Sequence, residues 1–306
     1  MKDRRRATIH RRCATTATLK LGAMSPTLLA LAAIALWATL ASLGTALSHL
    51  PPFLLTGLAL IIGSIPSWPL VLRDRGAWRV PPGTLALGVY GLFGFHFLLF
   101  IALRHAPPVE ANLVNYLWPL LMVVLAPVLL PGMSLRPLHV VAALLGFAGA
   151  AIAILGAREG TTSSLGASPG YWGFLPALGS AFIWASYSLW TKRVKAFPTS
   201  AIGLFGLVSG VLSLACHALL ESPAVLSAND WLLLALCGLG PLGAAFFVWD
   251  MALKRGDARQ IGILSYITPL GSTALLLAVT GRPLTWSIAL AAGLIISAAV
   301  MGTRVR

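Results

Sequence analysis

Long apolar runs separated by short polar connections dominate the pattern of this 306-residue chain. Each run is about 20 residues long, which is the length an α-helix needs to cross the hydrocarbon core of a bilayer. The pattern predicts ten transmembrane helices, at residues 26–47, 53–72, 84–103, 109–130, 137–156, 170–191, 199–220, 230–253, 258–280 and 284–303. The expected fold class is therefore an all-α polytopic membrane protein.

The composition supports this fold class. Hydrophobic residues make up 58% of the chain and charged residues only 10%, whereas a soluble domain carries about 25% charged residues. The formal net charge of +14 comes from basic residues in short loops and tails, where positive charge sets membrane orientation. We expect no nucleic-acid partner, because the sequence has no basic groove with interleaved aromatic residues.

The distribution of Lys and Arg predicts the orientation. With the N-terminus inside, 19 of the 22 basic residues lie on the cytoplasmic side, and only Arg104, Arg158 and Arg282 lie outside. The positive-inside rule therefore predicts cytoplasmic N and C termini, in the inner (plasma) membrane of a bacterial cell. Residues 1–25 are expected to form a disordered basic cytoplasmic tail, residues 157–169 an extracytoplasmic linker and residues 304–306 a short cytoplasmic tail. Translation from Met24 instead of Met1 remains open.

A short motif repeats between the two halves of the chain. The residues Tyr-x-x-Pro-Leu at Tyr116–Leu120 recur 150 residues later at Tyr266–Leu270. This predicts two five-helix repeats, at residues 26–156 and 170–303. Because five is an odd number, the second repeat must be inverted in the membrane. Inverted repeats place a substrate site near the bilayer midplane between the halves and permit alternating access, which is typical of transporters.

The sequence resembles a known family at these positions. Trp37 and Trp184, each followed by alanine, stand in the first helix of each half, and residues 110–119 read Glu-Ala-Asn-Leu-Val-Asn-Tyr-Leu-Trp-Pro. Together these features resemble the drug/metabolite transporter (DMT) superfamily with EamA-type repeats, and in particular its aromatic amino acid exporters. The resemblance extends over residues 26–303. It implies ten helices around a central cavity and export of amino acids and related metabolites, without fixing the substrate.

The fourth helix carries the first candidate site residues. Asn112, Asn115, Tyr116 and Pro119 recur at i, i+3, i+4 and i+7 and so share one face, which Trp118 flanks. Polar side chains in a transmembrane helix normally face protein or water, so Asn115, Tyr116 and Trp118 are candidates to line the cavity. For Asn115 a hydrogen bond between helices is an equal alternative, and for Asn112 it is the favoured one. Pro119 and its counterpart Pro269 are expected to act as helix hinges.

Further candidates come from the other helices. Trp37 and Trp184 lie at mid-membrane depth, where they would either wall the cavity or pack between helices. Tyr187 and Tyr266 are expected to line the cavity from the second half. His96 stands near the centre of the third helix and is expected to line the cavity. Proton coupling through its imidazole is an alternative.

These features favour an exporter of amino acids, aromatic ones included, that works by uniport or by proton coupling. Efflux of drugs, cationic compounds or other metabolites is the alternative, although no midplane carboxylate is present to pair with a cation. A membrane enzyme is disfavoured because no intramembrane cluster of His, Asp or Glu appears. Asp250 stands four residues before Lys254, which predicts an ordinary helical ion pair. We expect no catalytic residues, no metal and no cofactor; the partners are the substrate and the bilayer, and the oligomeric state stays open.

Overall fold

The computed structural model describes residues 24–156, 171–280 and 285–304. Most of the predicted N-terminal tail, the predicted linker at residues 157–169 and the last two residues lie outside the described residues. Within the described part, the regular secondary structure is helical and contains no strand.

Eight helical segments in the described part are long and apolar enough to cross a membrane. They are α1 (Pro26–Ala46), α2 (Pro52–Arg73), α3 (Pro82–His105), α4 (Pro108–Leu129), α5 (Pro137–Leu155), α7 (Ala201–Leu220), α8 (Ala228–Arg255) and α10 (Trp286–Arg304). Hydropathy alone predicts their ends to within about two residues, because lipid tolerates few polar side chains along a spanning helix.

Two shorter helical elements occupy the positions of the sixth and ninth predicted helices. Helix α6 (Phe174–Trp190) has 17 residues and follows a 3-10 turn. Helix α9 consists of two pieces, Ala258–Leu264 and Ile267–Thr280, separated by a turn. Helix α4 has a similar interruption, since one α-helical piece ends at Asn115 and the next begins at Trp118.

The two halves share an unusual backbone feature at the same register. A π-helical turn interrupts α3 at Tyr90–Gly94, and another interrupts α8 at Gly240–Ala244, which is 150 residues later. Each is followed by an α-helical piece of 11 residues. Because π-helical turns are rare, their matching register is strong evidence that the halves are structural repeats.

The repeats interlock. Helix α1 packs on α8 and α9, and the equivalent helix α6 packs on α3 and α4. In addition, α2 packs on α7, α4 on α9 and α5 on α10, so these helices contact their own counterparts. This pattern of contacts is what a pseudo-twofold axis between the repeats produces.

Glycines let the helix backbones approach closely where the repeats cross. A Cβ atom on Gly57 of α2 would lie 3.0 Å from the carbonyl oxygen of Gly210 in α7, and one on Gly210 would lie 2.8 Å from that of Gly57. A Cβ atom on Gly63 would lie 2.7 Å from the carbonyl oxygen of Gly238. Small residues at such crossings are typical of helices that associate within lipid.

Candidate functional site

A central cavity of about 510 Å³ lies between the repeats. Its volume falls in the range of small-molecule sites, about 300–1,000 Å³. Most of its wall is apolar, and the polar groups are few. The lining residues are Trp37, Leu40, Ala41, Gly44, Leu47, Ser48, Leu50, Pro52, Leu55, Thr56, Phe95, His96, Leu99, Phe100, Leu103, Asn112, Asn115, Tyr116, Trp118, Trp184, Leu242, Phe246, Thr268 and Ser272.

Four tryptophans from four helices form an aromatic cluster at one end of the cavity: Trp37, Trp118, Trp184 and Trp249. The ring centroids of Trp37 and Trp249 are 5.0 Å apart, and those of Trp37 and Trp184 are 5.8 Å apart. Phe246 adds a fifth ring, with its centroid 5.6 Å from that of Trp184. Edge-to-face and tilted contacts of this kind stabilise aromatic pairs by about 0.5–1.5 kcal/mol each beyond burial. We call this cluster of rings the aromatic floor of the cavity.

Both π-helical turns hydrogen-bond to side chains at the cavity. The indole N–H of Trp37 donates to the carbonyl oxygen of Pro241 at 3.1 Å. On the other side, Nδ1 of His96 lies 2.6 Å from the carbonyl oxygen of Leu92. Because a carbonyl oxygen can only accept, Nδ1 carries the hydrogen, and in the neutral ring Nε2 is left as an acceptor.

Asn115 joins two helices and also lines the cavity. Its Oδ1 accepts a hydrogen bond of 2.8 Å from Oγ of Ser180 in α6. Asn115 therefore joins two helices and also faces the cavity, and substrate binding by its amide stays a prediction. The amide NH₂ group remains as a hydrogen-bond donor. Asn112, for which packing between helices was favoured, lies one helical turn nearer the open end and also lines the cavity.

The structure brings most of the predicted site residues together. Six of them line the cavity: Trp37, His96, Asn115, Tyr116, Trp118 and Trp184. Tyr187 does not. It is buried under Gly91, where a Cβ atom would lie 2.3 Å from its ring. Tyr266 is likewise buried against Gly146 in a separate cluster.

The two predicted hinge prolines lie beside the helix interruptions. Pro119 is the second residue of the α4 piece that begins at Trp118. Pro269 is the third residue of the α9 piece that begins at Ile267. Proline lacks the N–H that would hydrogen-bond one turn back, so a local break in the helix is the expected result.

Sequence reasoning missed several residues of the site. Phe95 and Phe246 give no signal of their own in an apolar helix, although Phe246 is the repeat counterpart of His96 and contacts it at 6.4 Å between ring centroids. Thr268, the counterpart of Trp118, also lines the cavity. Adding the repeat offset of 150 residues to His96 and Trp118 would have found Phe246 and Thr268.

Among the described residues, the lining of the cavity extends toward one end of the helix bundle, which we call the open end. Its lining reaches Ser48 and Pro52 at the α1–α2 connection and Leu103 near the end of α3. At the opposite end, the repeat counterparts of lining residues are closed off. Leu253, the counterpart of Leu103, is only 1% exposed, and Tyr266, the counterpart of Tyr116, is fully buried.

Basic side chains seal the closed end by binding backbone carbonyl oxygens. Nζ of Lys192 donates to the carbonyl oxygens of Leu253 at 2.5 Å and Gly256 at 2.8 Å, at the end of α8. Arg193 donates to the carbonyl oxygen of Leu129 at the end of α4. Cations are favoured at helix C-termini, where carbonyl oxygens lack partners. The contact of Arg193 connects the second repeat to the first, and those of Lys192 join two helices within the second repeat.

Arg259 adds another contact between the repeats at the closed end. It donates to the carbonyl oxygen of Ser134, and Asp257 holds its guanidinium at 2.6 Å. Partial burial raises the pKa of Asp257, but the hydrogen bonds and charge of Arg259 outweigh that effect. The pKa of Asp257 is therefore below its ordinary value, and the carboxylate is charged at neutral pH.

Glu221 joins three helices near the open end. Its carboxylate, 2% exposed, accepts from the backbone N–H groups of Phe53 at 3.1 Å and Leu54 at 3.3 Å, at the start of α2. It also binds Nη2 of Arg104 at 2.5 Å and Nδ1 of His217 at 3.0 Å. The carboxylate thus satisfies the N-terminus of one helix and two cationic or polar side chains from two others.

Two repeated helical halves with a pocket between them define a membrane transporter built from internal repeats. Within the described residues, no group of three or more His, Cys, Asp or Glu side chains could hold a metal ion. The model of the EamA-like transporter family matches residues 24–155 and 171–303. The chain belongs to this family, and is a transporter rather than an enzyme.

Individual relatives agree with the family. The chain is 42% identical over 284 residues to the protein named aromatic amino acid exporter YddG of Ancylobacter novellus, covering 91% of this chain and 97% of that protein. It is 30% identical to the protein of the same name from Escherichia coli K12, covering 85% and 90% of the two chains. A crystal structure with 39% identity superimposes with a TM-score of 0.83, covering 91% of this chain and 97% of the other.

Proposed function

We propose that this protein exports amino acids, aromatic ones included, from the cytoplasm across the inner membrane of a bacterial cell. The observation that carries the proposal is the aromatic cavity between the repeats, in a chain that is 42% identical to a named aromatic amino acid exporter. Stacking on the rings of Trp118 and Trp184 accounts for selection of a flat side chain. Asn115, Tyr116 and His96 supply the hydrogen-bonding groups for the ammonium and carboxylate groups.

The orientation follows from charge. The closed end carries Lys192, Arg193 and Arg259, whereas the open end carries Arg104. The positive-inside rule supports ten spanning helices with both termini in the cytoplasm, the second repeat being inverted. In this orientation the cavity opens to the extracytoplasmic side, and the basic side chains on carbonyl oxygens close the cytoplasmic side.

Transport then proceeds by alternating access. The interruptions beside Pro119 in α4 and Pro269 in α9 lie at the same register of both repeats and are the hinges at which the helices bend. Bending releases the cytoplasmic contacts and closes the opposite end around the substrate. Within the described lining, His96 is the sole imidazole and no carboxylate lines the cavity. We therefore favour uniport down the substrate gradient.

The test is transport by the purified protein in lipid vesicles. We expect protein-dependent flux of labelled phenylalanine, tyrosine and tryptophan that changes less than twofold when a pH gradient is imposed. The panel should include aliphatic amino acids and a flat aromatic cation, which separates amino acid export from efflux of cationic drugs. Absence of flux for every amino acid tested would contradict the proposal, and strong stimulation by a pH gradient would replace uniport with proton coupling.

A further inference from the structure

Charge is distributed unevenly along the path that the substrate must take. Apart from His96, no side chain that lines the open cavity in the described structure is ionisable below pH 9. The repeat offset gives each lining residue of α3 a counterpart in α8 at the closed end. Leu99 corresponds to Trp249, and Phe100 corresponds to Asp250. When inverted repeats exchange their conformations, the counterparts become the lining of the opposite cavity.

Asp250 is therefore expected to line the cavity when it faces the cytoplasm, at the position equivalent to that of Phe100 in the cavity seen in this structure. It is 3% exposed in the closed end. Its Oδ2 binds Nζ of Lys254 at 2.6 Å and Oγ1 of Thr199 at 2.7 Å. Its Oδ1 is buried and has no hydrogen-bond partner among the described residues. A buried carboxylate oxygen without a hydrogen-bond partner costs free energy in this state of the protein.

The neighbouring residue connects this carboxylate to the aromatic floor. Trp249 precedes Asp250 in α8, and its ring centroid lies 5.8 Å from that of Trp118 and 5.0 Å from that of Trp37. An aromatic amino acid that stacks on the cytoplasmic side of this floor would bring its ammonium group within reach of the adjacent carboxylate.

We propose that Asp250 binds the α-ammonium group of the substrate when the cavity faces the cytoplasm, through the Oδ1 atom that is unpartnered here. This inference rests on the proposed function and adds a charged anchor on one side of the membrane. The substrate is held by an ion pair where it is collected. After the conformational change it faces an outer cavity without a carboxylate, where it is bound more weakly and leaves. The competing explanation is that Asp250 serves only as a structural partner of Lys254.

Membrane vesicles of defined orientation test this proposal. Uptake of labelled phenylalanine into everted vesicles reports the KM on the cytoplasmic side, and uptake into right-side-out vesicles reports the KM on the outer side. Asp250→Asn should raise the cytoplasmic KM about tenfold or more and leave the outer KM within twofold. The inhibition constant of 3-phenylpropionate, which lacks the ammonium group, should not change. Asp74→Asn is the matched control, since Asp74 is an exposed carboxylate at the same end of the bundle.

A second variant separates binding from structure. Lys254→Met removes the partner but keeps the carboxylate, so the cytoplasmic KM should stay the same or fall. An equal rise of the KM in Lys254→Met and Asp250→Asn would overturn the proposal in favour of a structural ion pair. If Asp250→Asn does not reach the membrane, a rise of the cytoplasmic KM in Lys254→Met alone overturns the proposal. Normal flux and unchanged KM in Asp250→Asn would overturn the inference and leave amino acid export intact, whereas no flux in the wild type would overturn both.

Discussion

The Glu221 contacts predict a large loss of stability from a change of one atom. Glu221→Gln keeps the size and shape of the side chain and removes its charge. The carboxylate is 2% exposed and accepts from the N–H groups of Phe53 and Leu54, from Arg104 and from His217. A glutamine presents a donor NH₂ group to some of these donors. At least one of the four contacts must therefore break.

The magnitude follows from these contacts. A hydrogen bond to a charged group contributes about 1.5–3 kcal/mol and a neutral one about 0.5–1.5 kcal/mol. Loss of the charge therefore weakens each contact by about 1 kcal/mol, and the total is about 3–5 kcal/mol, the usual loss when a buried charged pair is broken. Arg104→Ala removes one partner whose side chain is 39% exposed. Its loss should be about 1 kcal/mol, because solvent screens exposed charges.

The assay is unfolding of the purified protein by SDS in mixed micelles, followed by tryptophan fluorescence. We expect the free energy of unfolding to fall in the order wild type, Arg104→Ala, Glu221→Gln. If Glu221→Gln loses no more stability than Arg104→Ala, then the helix N-terminus does not depend on this carboxylate and the reasoning is refuted.

Three further predictions follow from the site and the helix crossings. In vesicle transport, Trp118→Ala should raise the KM for phenylalanine about 2- to 12-fold, which corresponds to one lost aromatic contact of about 0.5–1.5 kcal/mol, and Trp118→Phe should restore a KM close to that of the wild type. An unchanged KM in Trp118→Ala would mean that the ring of Trp118 serves packing alone. In the same SDS titration, Gly63→Ala should destabilise the protein by about 1–3 kcal/mol, because the new methyl group meets the backbone of α8. The control Gly293→Ala has open space around the new methyl group and should be neutral or stabilising, so equal effects of the two changes would exclude close packing at Gly63. Because the pKa of Asp257 is lowered in the folded protein, its carboxylate stabilises the fold fully above the unfolded pKa of about 3.9, and this stabilisation is lost as the pH falls through the lower folded pKa. The difference in unfolding free energy between the wild type and Asp257→Asn should therefore shrink below about pH 4, and a difference that is constant with pH would contradict this.

The positions of the helices could be predicted from sequence because lipid imposes one simple requirement on every spanning segment. The same requirement made Asn115 and Trp118 candidates to line the cavity, because their side chains are unusual in an apolar helix. The ion pair of Asp250 and Lys254 was predicted from its i, i+4 spacing and is confirmed at 2.6 Å. In each case the information lies within one helix.

Other features depend on which helices meet, and periodicity along one helix does not contain that information. Tyr187 packs against Gly91 of α3, and Tyr266 packs against Gly146 of α5. A glycine leaves room for a ring only if the partner helix lies opposite, and the sequence alone did not pair these helices. Trp249 stands six residues before Arg255, so its distance from the helix end resembles that of an interfacial tryptophan, yet it completes the aromatic floor.

The π-helical turns at Tyr90–Gly94 and Gly240–Ala244 also bear on the ancestry of the chain. A π-helical turn accommodates one residue more than an α-helical turn. Two separate insertions would have had to occur at the same turn of each half, whereas one insertion before gene duplication accounts for both. Each half therefore carries one extra residue in this helix. Its deletion from either half would rotate all later side chains of that helix by about 100° and carry His96 or Phe246 away from the cavity.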